Sequence, residues 1–153
     1  MKKLSWIVLL VLFGCSSSET WEADDCFLNY EYRWYDLRTT ITIEESRVLY
    51  NMSQLDDITG QAYLTPQNYE IIEKEEIVEN YWFYILKAEN SNYYTAMIQH
   101  KYVGLNKERS QFVEPSVDPW LSLNVMLEWK EKAIRRLEEG KKYSYQGRFY
   151  DKL

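Results

Sequence analysis

The chain has 153 residues, of which 18 are lysine or arginine and 24 are aspartate or glutamate, so its formal net charge is −6. This acidic balance argues against nonspecific nucleic-acid binding, which depends on basic side chains that neutralise phosphates, and against an electrostatic hold on anionic lipid. The length suits a single domain that needs no disulfide or metal to fold.

The first segment, Met1 to Cys15, has the layout of an export signal. Lys2 and Lys3 form a positive head, residues 4–13 form a short apolar run, and the small residue Gly14 follows. Such a run is too short for a spanning helix, which needs about 20 apolar residues. No later stretch of the sequence is longer and equally apolar, so we expect no transmembrane segment downstream.

The end of this segment, Leu12-Phe13-Gly14-Cys15, resembles the lipobox of bacterial lipoproteins. The resemblance implies that the signal peptide over residues 1–14 is removed and that Cys15 is diacylated. It also implies an outer membrane location facing the periplasm in an organism with two membranes, because Ser16 is not aspartate. An ordinary signal peptide with an incidental cysteine is the alternative.

Residues 15–22 are predicted to be a lipidated cysteine and a flexible tether, because Ser16 to Glu22 is small and polar. A single globular domain is then predicted over residues 23–153. Loss of the two lysines of the signal leaves 16 basic and 24 acidic residues, a net charge of −8. Cys26 remains as a lone thiol, and its apolar neighbours favour a packed side chain over an intermolecular bridge.

The mature part is rich in tyrosine and tryptophan and poor in glycine and proline, a composition that favours β structure. Alternation of apolar and polar residues predicts strands over residues 27–33, 37–43, 47–52, 58–64 and 69–73. The apolar run 81–86 is typical of a strand covered on both faces. A turn cluster at 89–92 joins it to an alternating strand over 93–103, whose one face carries Tyr94, Ala96, Ile98, His100 and Tyr102.

One amphipathic helix is predicted over about 119–139, followed by a last strand over 143–150. Asp118 is a suitable N-cap, Pro119 suits a first turn, and Gly140 ends the helix. The charged face mixes both signs, which favours docking on the sheet over an interfacial position on a membrane. The apolar arc, broken only by Lys130, contains Leu123, Met126, Leu127, Trp129, Ala133, Ile134 and Leu137.

These elements predict an α+β fold that is mainly β. We expect an antiparallel sheet or a small barrel of about seven strands, with one helix before the last strand. The order of elements is weakly similar to an OB-like barrel, an analogy that carries no function.

Catalytic and metal-binding motifs are scarce, and we expect neither a cofactor nor a metal. His100 is the only histidine, which excludes a His/Cys metal cluster, and a partly exposed strand residue is a better interpretation than a catalytic base. Acidic doublets could supply two carboxylates about 5–10 Å apart for glycoside hydrolysis. With 24 acids in the chain, some pair meets that distance by chance.

Aromatic side chains offer another functional route, as a platform that stacks on sugars or anchors a protein interface. Trp82 and Trp129 are predicted to lie in the core, whereas Trp34 and Tyr35, in a predicted turn region, are the candidates for exposed ligand-binding residues. The leading hypothesis is a non-catalytic, lipid-anchored protein of the cell envelope that binds an envelope protein or a cell-wall glycan. The alternatives are an inhibitor or immunity-type protein against a basic envelope enzyme, and a carboxylate-dependent hydrolase.

Overall fold

A computed structural model describes residues 18–28, 34–56, 62–64, 66–104, 106–116, 119–140 and 149–153. One helix, α1 (Leu123–Glu138), lies between the last two strands of these ranges. The strands are β1 (Glu19–Leu28), β2 (Trp34–Ile43), β3 (Arg47–Asp56), β4 (Ala62–Leu64), β5 (Gln67–Val78), β6 (Tyr81–Ala88), β7 (Tyr94–Val103), β8 (Glu108–Val113) and β9 (Phe149–Lys152).

Eight strands form a closed antiparallel barrel in which β1, β2, β3, β5, β6, β7, β8 and β9 follow one another around the wall. β9 closes the barrel on β1, and among the described strands the short β4 pairs with β3 alone. The predicted mainly-β barrel with one helix before its last strand is therefore confirmed. Because an OB-fold is a five-stranded Greek-key barrel, the likeness to it is limited to the helix that precedes the closing strand.

The inside of the barrel is filled by side chains, one of the two ways in which eight-stranded barrels use this space. The hydroxyl of Tyr84 donates to Gln99 Oε1 (2.9 Å), and Gln99 Nε2 donates to Ser110 Oγ (3.0 Å). Burial raises the pKa of Tyr84 far above its ordinary value, so the phenol stays neutral. The apolar part of the interior includes Trp21, Ile41, Tyr50, Tyr69, Leu86, Met97, Phe112 and Tyr150.

A second apolar cluster lies outside the barrel wall, under α1. Phe83, Ile85 and Ile98 point outward from β6 and β7 and pack against Met126 and Ala133 of the helix. The neighbouring residues of β6 point into the barrel instead. This double coverage explains the unbroken apolar run in β6 and confirms the prediction of a strand covered on both faces.

Three tyrosines close the end of the barrel at which β8 finishes. Tyr50 donates to Glu114 Oε2 (2.8 Å), and Tyr150 donates to Glu114 Oε1. Tyr69 donates to the carbonyl oxygen of Ser116 (2.8 Å). The chain that leaves β8 is thereby fixed to β3, β5 and β9 before it reaches the helix.

The helix begins later than predicted. Ser122 is its N-cap, with an extended backbone and a side chain that accepts from the Val125 N–H (3.4 Å). The carbonyl of Leu121 accepts from the Tyr94 N–H (2.9 Å), so the backbone there is held in a bridge with β7 and cannot be helical. The predicted start at about 119 is wrong for this reason, while the predicted end is confirmed by the positive φ of Gly140 (74°).

The domain also begins earlier than predicted. β1 starts at Glu19, and Trp21 is only 1% exposed, so the predicted tether through Glu22 and the predicted domain start at residue 23 are wrong. β8 had no predicted counterpart. Of the predicted strands, residues 29–33, 58–61 and 143–148 lie outside the described residues, and β9 contains only the last two positions predicted for the closing strand.

Lys130 does not interrupt the buried side of α1. Its ammonium pairs with the carboxylates of Glu73 and Glu75 on β5, and only 16% of its side chain is exposed. The hydrogen bonds that Lys130 donates to these two carboxylates raise its pKa. The lysine therefore ties the helix to β5 through charge, in the middle of an otherwise apolar contact.

We expect Ser122→Ala to lower the free energy of unfolding by about 1 kcal/mol, because a first-turn N–H loses its acceptor. Asp118→Ala is the matched control, and it should change the free energy by less than about 0.5 kcal/mol, since position 118 comes four residues before the observed cap in the sequence. Urea denaturation of both variants measures the difference. A larger loss of unfolding free energy for Asp118→Ala than for Ser122→Ala would contradict the observed helix start and favour the one predicted from the sequence.

We expect Lys130→Met to lower the free energy of unfolding by about 1 kcal/mol, because two carboxylates lose their partner while the apolar stem is kept. Lys132→Met, on the exposed side of the same helix, should have almost no effect. Because the folded pKa of Lys130 is raised above the ordinary 10.5, the difference between wild type and Lys130→Met is fully present below that pH. It disappears as the pH rises through the folded pKa. Equal stabilities at neutral pH would contradict the ion pair.

Candidate interaction surface

The outer wall over β6 to β9 carries a row of aromatic side chains beside the edge of α1. Cross-strand register places Tyr81 opposite His100, and Gln111 opposite Phe149, so these residues share the outer face. We call Tyr81, His100, Tyr102 and Phe149 the aromatic ladder.

The rings of the ladder touch in sequence. The His100 ring is stacked on Tyr81, with centroids 3.9 Å apart and planes 13° apart, and its centroid lies 4.2 Å from that of Tyr102. Tyr102 in turn lies 5.3 Å from Phe149 and donates through its hydroxyl to Gln111 Oε1 (2.6 Å). Burial raises the pKa of Tyr81. His100 is thus a partly exposed strand residue, as the sequence predicts, and it lies in an aromatic stack.

An open groove of about 320 Å³ continues the ladder along the edge of the helix. Its buried floor is made by Phe83 and Ile98, and its walls by Val113 (37% exposed) and Trp129 (44% exposed). Lys132 stands at its rim. We call this the helix-edge groove; it is lined by Phe83, Ala96, Ile98, Val113, Trp129 and Lys132.

The prediction that Trp129 lies in the core is wrong. α1 turns Met126 and Ala133 fully inward, and at 100° per residue Trp129 lies about 60° to one side of Met126. Its ring therefore reaches the margin of the contact and forms a wall of the groove. Trp82, the other tryptophan predicted to be buried, is partly buried and packs against the interior cluster.

Basic side chains surround this surface even though the chain is acidic. The guanidinium of Arg109 lies 5.5 Å from the centroid of the Phe149 ring. Arg109 and Lys107 each bind Asp151 at 2.8 Å, and these hydrogen bonds hold the pKa of Asp151 below its ordinary value. Together with Lys132, which makes no ion pair with the described residues, they give the surface a basic rim.

The barrel mouth at the start of β1 holds a separate group of charges. The ammonium groups of Lys74 and Lys101 lie 5.1 and 5.2 Å from the centroid of the Trp82 ring. Burial and the neighbouring Lys101 lower the pKa of Lys74, in that order. Lys101 lies 3.8 Å from the Glu19 carboxylate, too far for a hydrogen bond. Two ammonium groups therefore lie near one indole ring at this mouth, and a carboxylate lies near one of them.

Two carboxylates at this mouth, those of Glu19 and Glu108, flank the ammonium group of Lys152. Lys152 lies 2.7 Å from Glu108 and 3.9 Å from Glu19. The hydrogen bond from Lys152 lowers the pKa of Glu108. A general acid needs a raised pKa, so the electrostatics of this pair disfavour acid catalysis.

The structure does not bring the residues predicted for the site together with this surface. Trp34 and Tyr35 begin strand β2, opposite Leu28 and Phe27, so the predicted turn region is wrong; their side chains lie outside the described residues. Cys15 also lies outside them, and the Cys26 backbone lies in β1. The alternation in β7 placed His100 and Tyr102 on one face in the sequence, but it could not show that this face points outward.

Searches against protein-family models, curated proteins and solved structures found no match. Among the residues that the structure describes, no group of three or more histidine, cysteine, aspartate or glutamate side chains is placed to hold a metal ion. Within the same ranges, no helix has the length and apolar character needed to cross a bilayer.

Proposed function

We propose that the protein is a lipid-anchored lipoprotein of the cell envelope that binds another envelope protein without catalysing a reaction. The observation that carries this proposal is the continuous surface formed by the aromatic ladder and the helix-edge groove. It leaves Trp129 44% and Phe149 46% exposed on rigid elements of the fold. Large aromatic residues next to arginine are the side chains that dominate the energetics of protein interfaces.

The geometry favours a protein partner over a cell-wall glycan. Sugar rings stack on free aromatic faces, whereas Tyr81 and His100 each use one ring face to stack on the other. The helix-edge groove instead offers an apolar pocket for a side chain. Its basic rim of Lys107, Arg109 and Lys132 favours a partner whose apolar contact is bordered by acidic residues.

Attachment to the membrane is proposed to occur through the lipid on Cys15, in the outer membrane facing the periplasm where the organism has two membranes. The order of positive head, apolar run, small residue and cysteine supports this assignment. Two or more acyl chains give stable attachment, whereas one chain gives only marginal binding. No nucleic acid or cofactor has a part in the proposed function.

The two alternative functions have less support. An inhibitor of a basic enzyme needs an acidic contact surface, but the exposed apolar surface of this chain is bordered by basic residues. A hydrolase needs a carboxyl group with a raised pKa, whereas Lys152 lowers the pKa of Glu108 at the barrel mouth.

Metabolic labelling with a clickable palmitate tests the anchor. We expect label in the wild type and in Cys26→Ala, which is the matched control, and no label in Cys15→Ala, because only Cys15 follows the signal. Labelled protein is measured by in-gel fluorescence after immunoprecipitation. Equal labelling of wild type and Cys15→Ala would overturn the lipoprotein assignment.

Photocrosslinking in living cells tests the binding surface. A benzophenone amino acid at position 129 or 149 should yield the same discrete protein adduct, because both positions border one surface. The control is position 40, where Thr40 faces outward on the opposite wall of the barrel. An adduct that a peptidoglycan hydrolase removes would indicate a glycan ligand and contradict the protein partner. Adducts at position 40 alone would contradict the proposed surface.

A further inference from the structure

The start of β1 limits how far the barrel can lie from its anchor. Glu19 is already in the strand, so only residues 16–18 separate it from Cys15. A fully extended chain advances at most about 3.6 Å per residue, so the Cα atoms of Cys15 and Glu19, four residues apart, lie within about 14 Å of each other whatever the conformation of the segment. This limit rests on the proposed function, in which Cys15 lies at the membrane surface.

The antiparallel topology shows which parts of the barrel share the end at which β1 begins. Glu19 pairs with Ile43 at the end of β2, and the N–H of Leu153 donates to the carbonyl of Thr20 (2.8 Å). Turns alternate between the two ends of a meander, so the β2–β3, β5–β6 and β7–β8 turns all lie at this end. We call it the anchor end. The β6–β7 turn, which contains Asn90 and Asn92, lies at the opposite end.

We propose that the barrel stands on the membrane with its anchor end against the lipid headgroups. The outward residues at the start of β1 and the end of β2, Thr20, Glu22 and Thr42, are polar. The wall at β1 and β2 therefore offers no apolar area that would hold the barrel on its side in the bilayer, and the exposed aromatic surface lies on β6 to β9, where it is proposed to bind the partner. The short tether and the polar wall together favour contact through the anchor end.

Charge does not provide the attachment. Acidic and basic side chains mix at the anchor end, whose turns and mouth carry Glu19, Glu44, Glu45, Glu79, Glu108, Arg47, Lys74, Lys101, Lys107 and Lys152. Mixed charges give little net attraction to anionic headgroups. The tether therefore sets the orientation, and raising the salt concentration should leave it unchanged.

This orientation restricts the partner. Tyr102 and Phe149 lie on strands close to the β7–β8 turn, in the half of the barrel nearest the membrane, and the helix-edge groove lies above them. The whole surface runs up the side wall, so it faces sideways along the membrane. A partner that binds both parts must itself rise from the same membrane or lie directly over it.

Energy transfer to labelled lipid tests the orientation. A clickable amino acid carrying a donor dye replaces Asn106 at the anchor end or Asn92 at the far end, both of which are exposed turn residues. The full chain is placed in liposomes that contain a headgroup-labelled acceptor lipid, and membrane-bound chains are isolated by flotation. The eight residues of β6, at about 3.3 Å per residue and a tilt of about 40°, separate the two ends by about 20 Å.

We expect clearly higher transfer from position 106 than from position 92, with no change when salt rises from about 0.1 M to about 1 M. Equal transfer would show that the barrel lies on its side, and higher transfer from position 92 would show that it is inverted; either result overturns the proposal. The chain could be held on the bilayer by the lipid on Cys15 or by an uncleaved signal segment. Flotation isolates bound chains with either kind of attachment, so the orientation is measured in both cases. Failure of palmitate labelling would refute the lipid anchor alone, so the two failures are distinguishable.

Discussion

The closure of the barrel by β9 against β1 is the constraint on which the other features depend. It consists of the pairs Trp21–Lys152 and Glu22–Asp151 and the hydrogen bond from Leu153 to Thr20. Closure removes the two strand edges that an open sheet would expose and completes the wall around Trp21. It also brings Phe149, which points outward from β9, beside Tyr102 at the end of the aromatic ladder. Because β1 is paired from its start at Glu19, only a short segment separates the barrel from the proposed anchor at Cys15.

Local charge and burial matter more here than the composition of the whole chain. The net charge is acidic, yet the exposed aromatic surface is bordered by Lys107, Arg109 and Lys132. Several acids are instead used internally: Glu73 and Glu75 bind Lys130 beneath the helix, and Glu114 accepts hydrogen bonds from two tyrosines. The net charge therefore argues against binding to nucleic acid and to anionic lipid, but it does not identify the exposed aromatic surface.

The sequence predicts the fold well and the surface poorly, for separate physical reasons. Alternation and turn residues are local signals, so the β6–β7 hairpin and the end of the helix at Gly140 follow from them. The helix start depends on a bridge between Leu121 and Tyr94, and β1 on pairing with two distant strands, which no local pattern contains. The position of Trp129 depends on how the helix is rotated against the sheet. Alternation separates two faces of β7 but cannot tell which is outside, because the inward face, with Thr95, Met97 and Gln99, is not the more apolar of the two.

Strand β9 closes the barrel and so fixes the aromatic ladder and the anchor end in one rigid body. Native-state hydrogen exchange of the Leu153 amide tests it most directly, since this N–H donates across the closure to Thr20. We expect protection comparable to that of the Met97 and Ile98 amides in the central strand β7, with opening only on global unfolding. Exchange at the rate of an unstructured C-terminus would show that β9 does not close the barrel on β1.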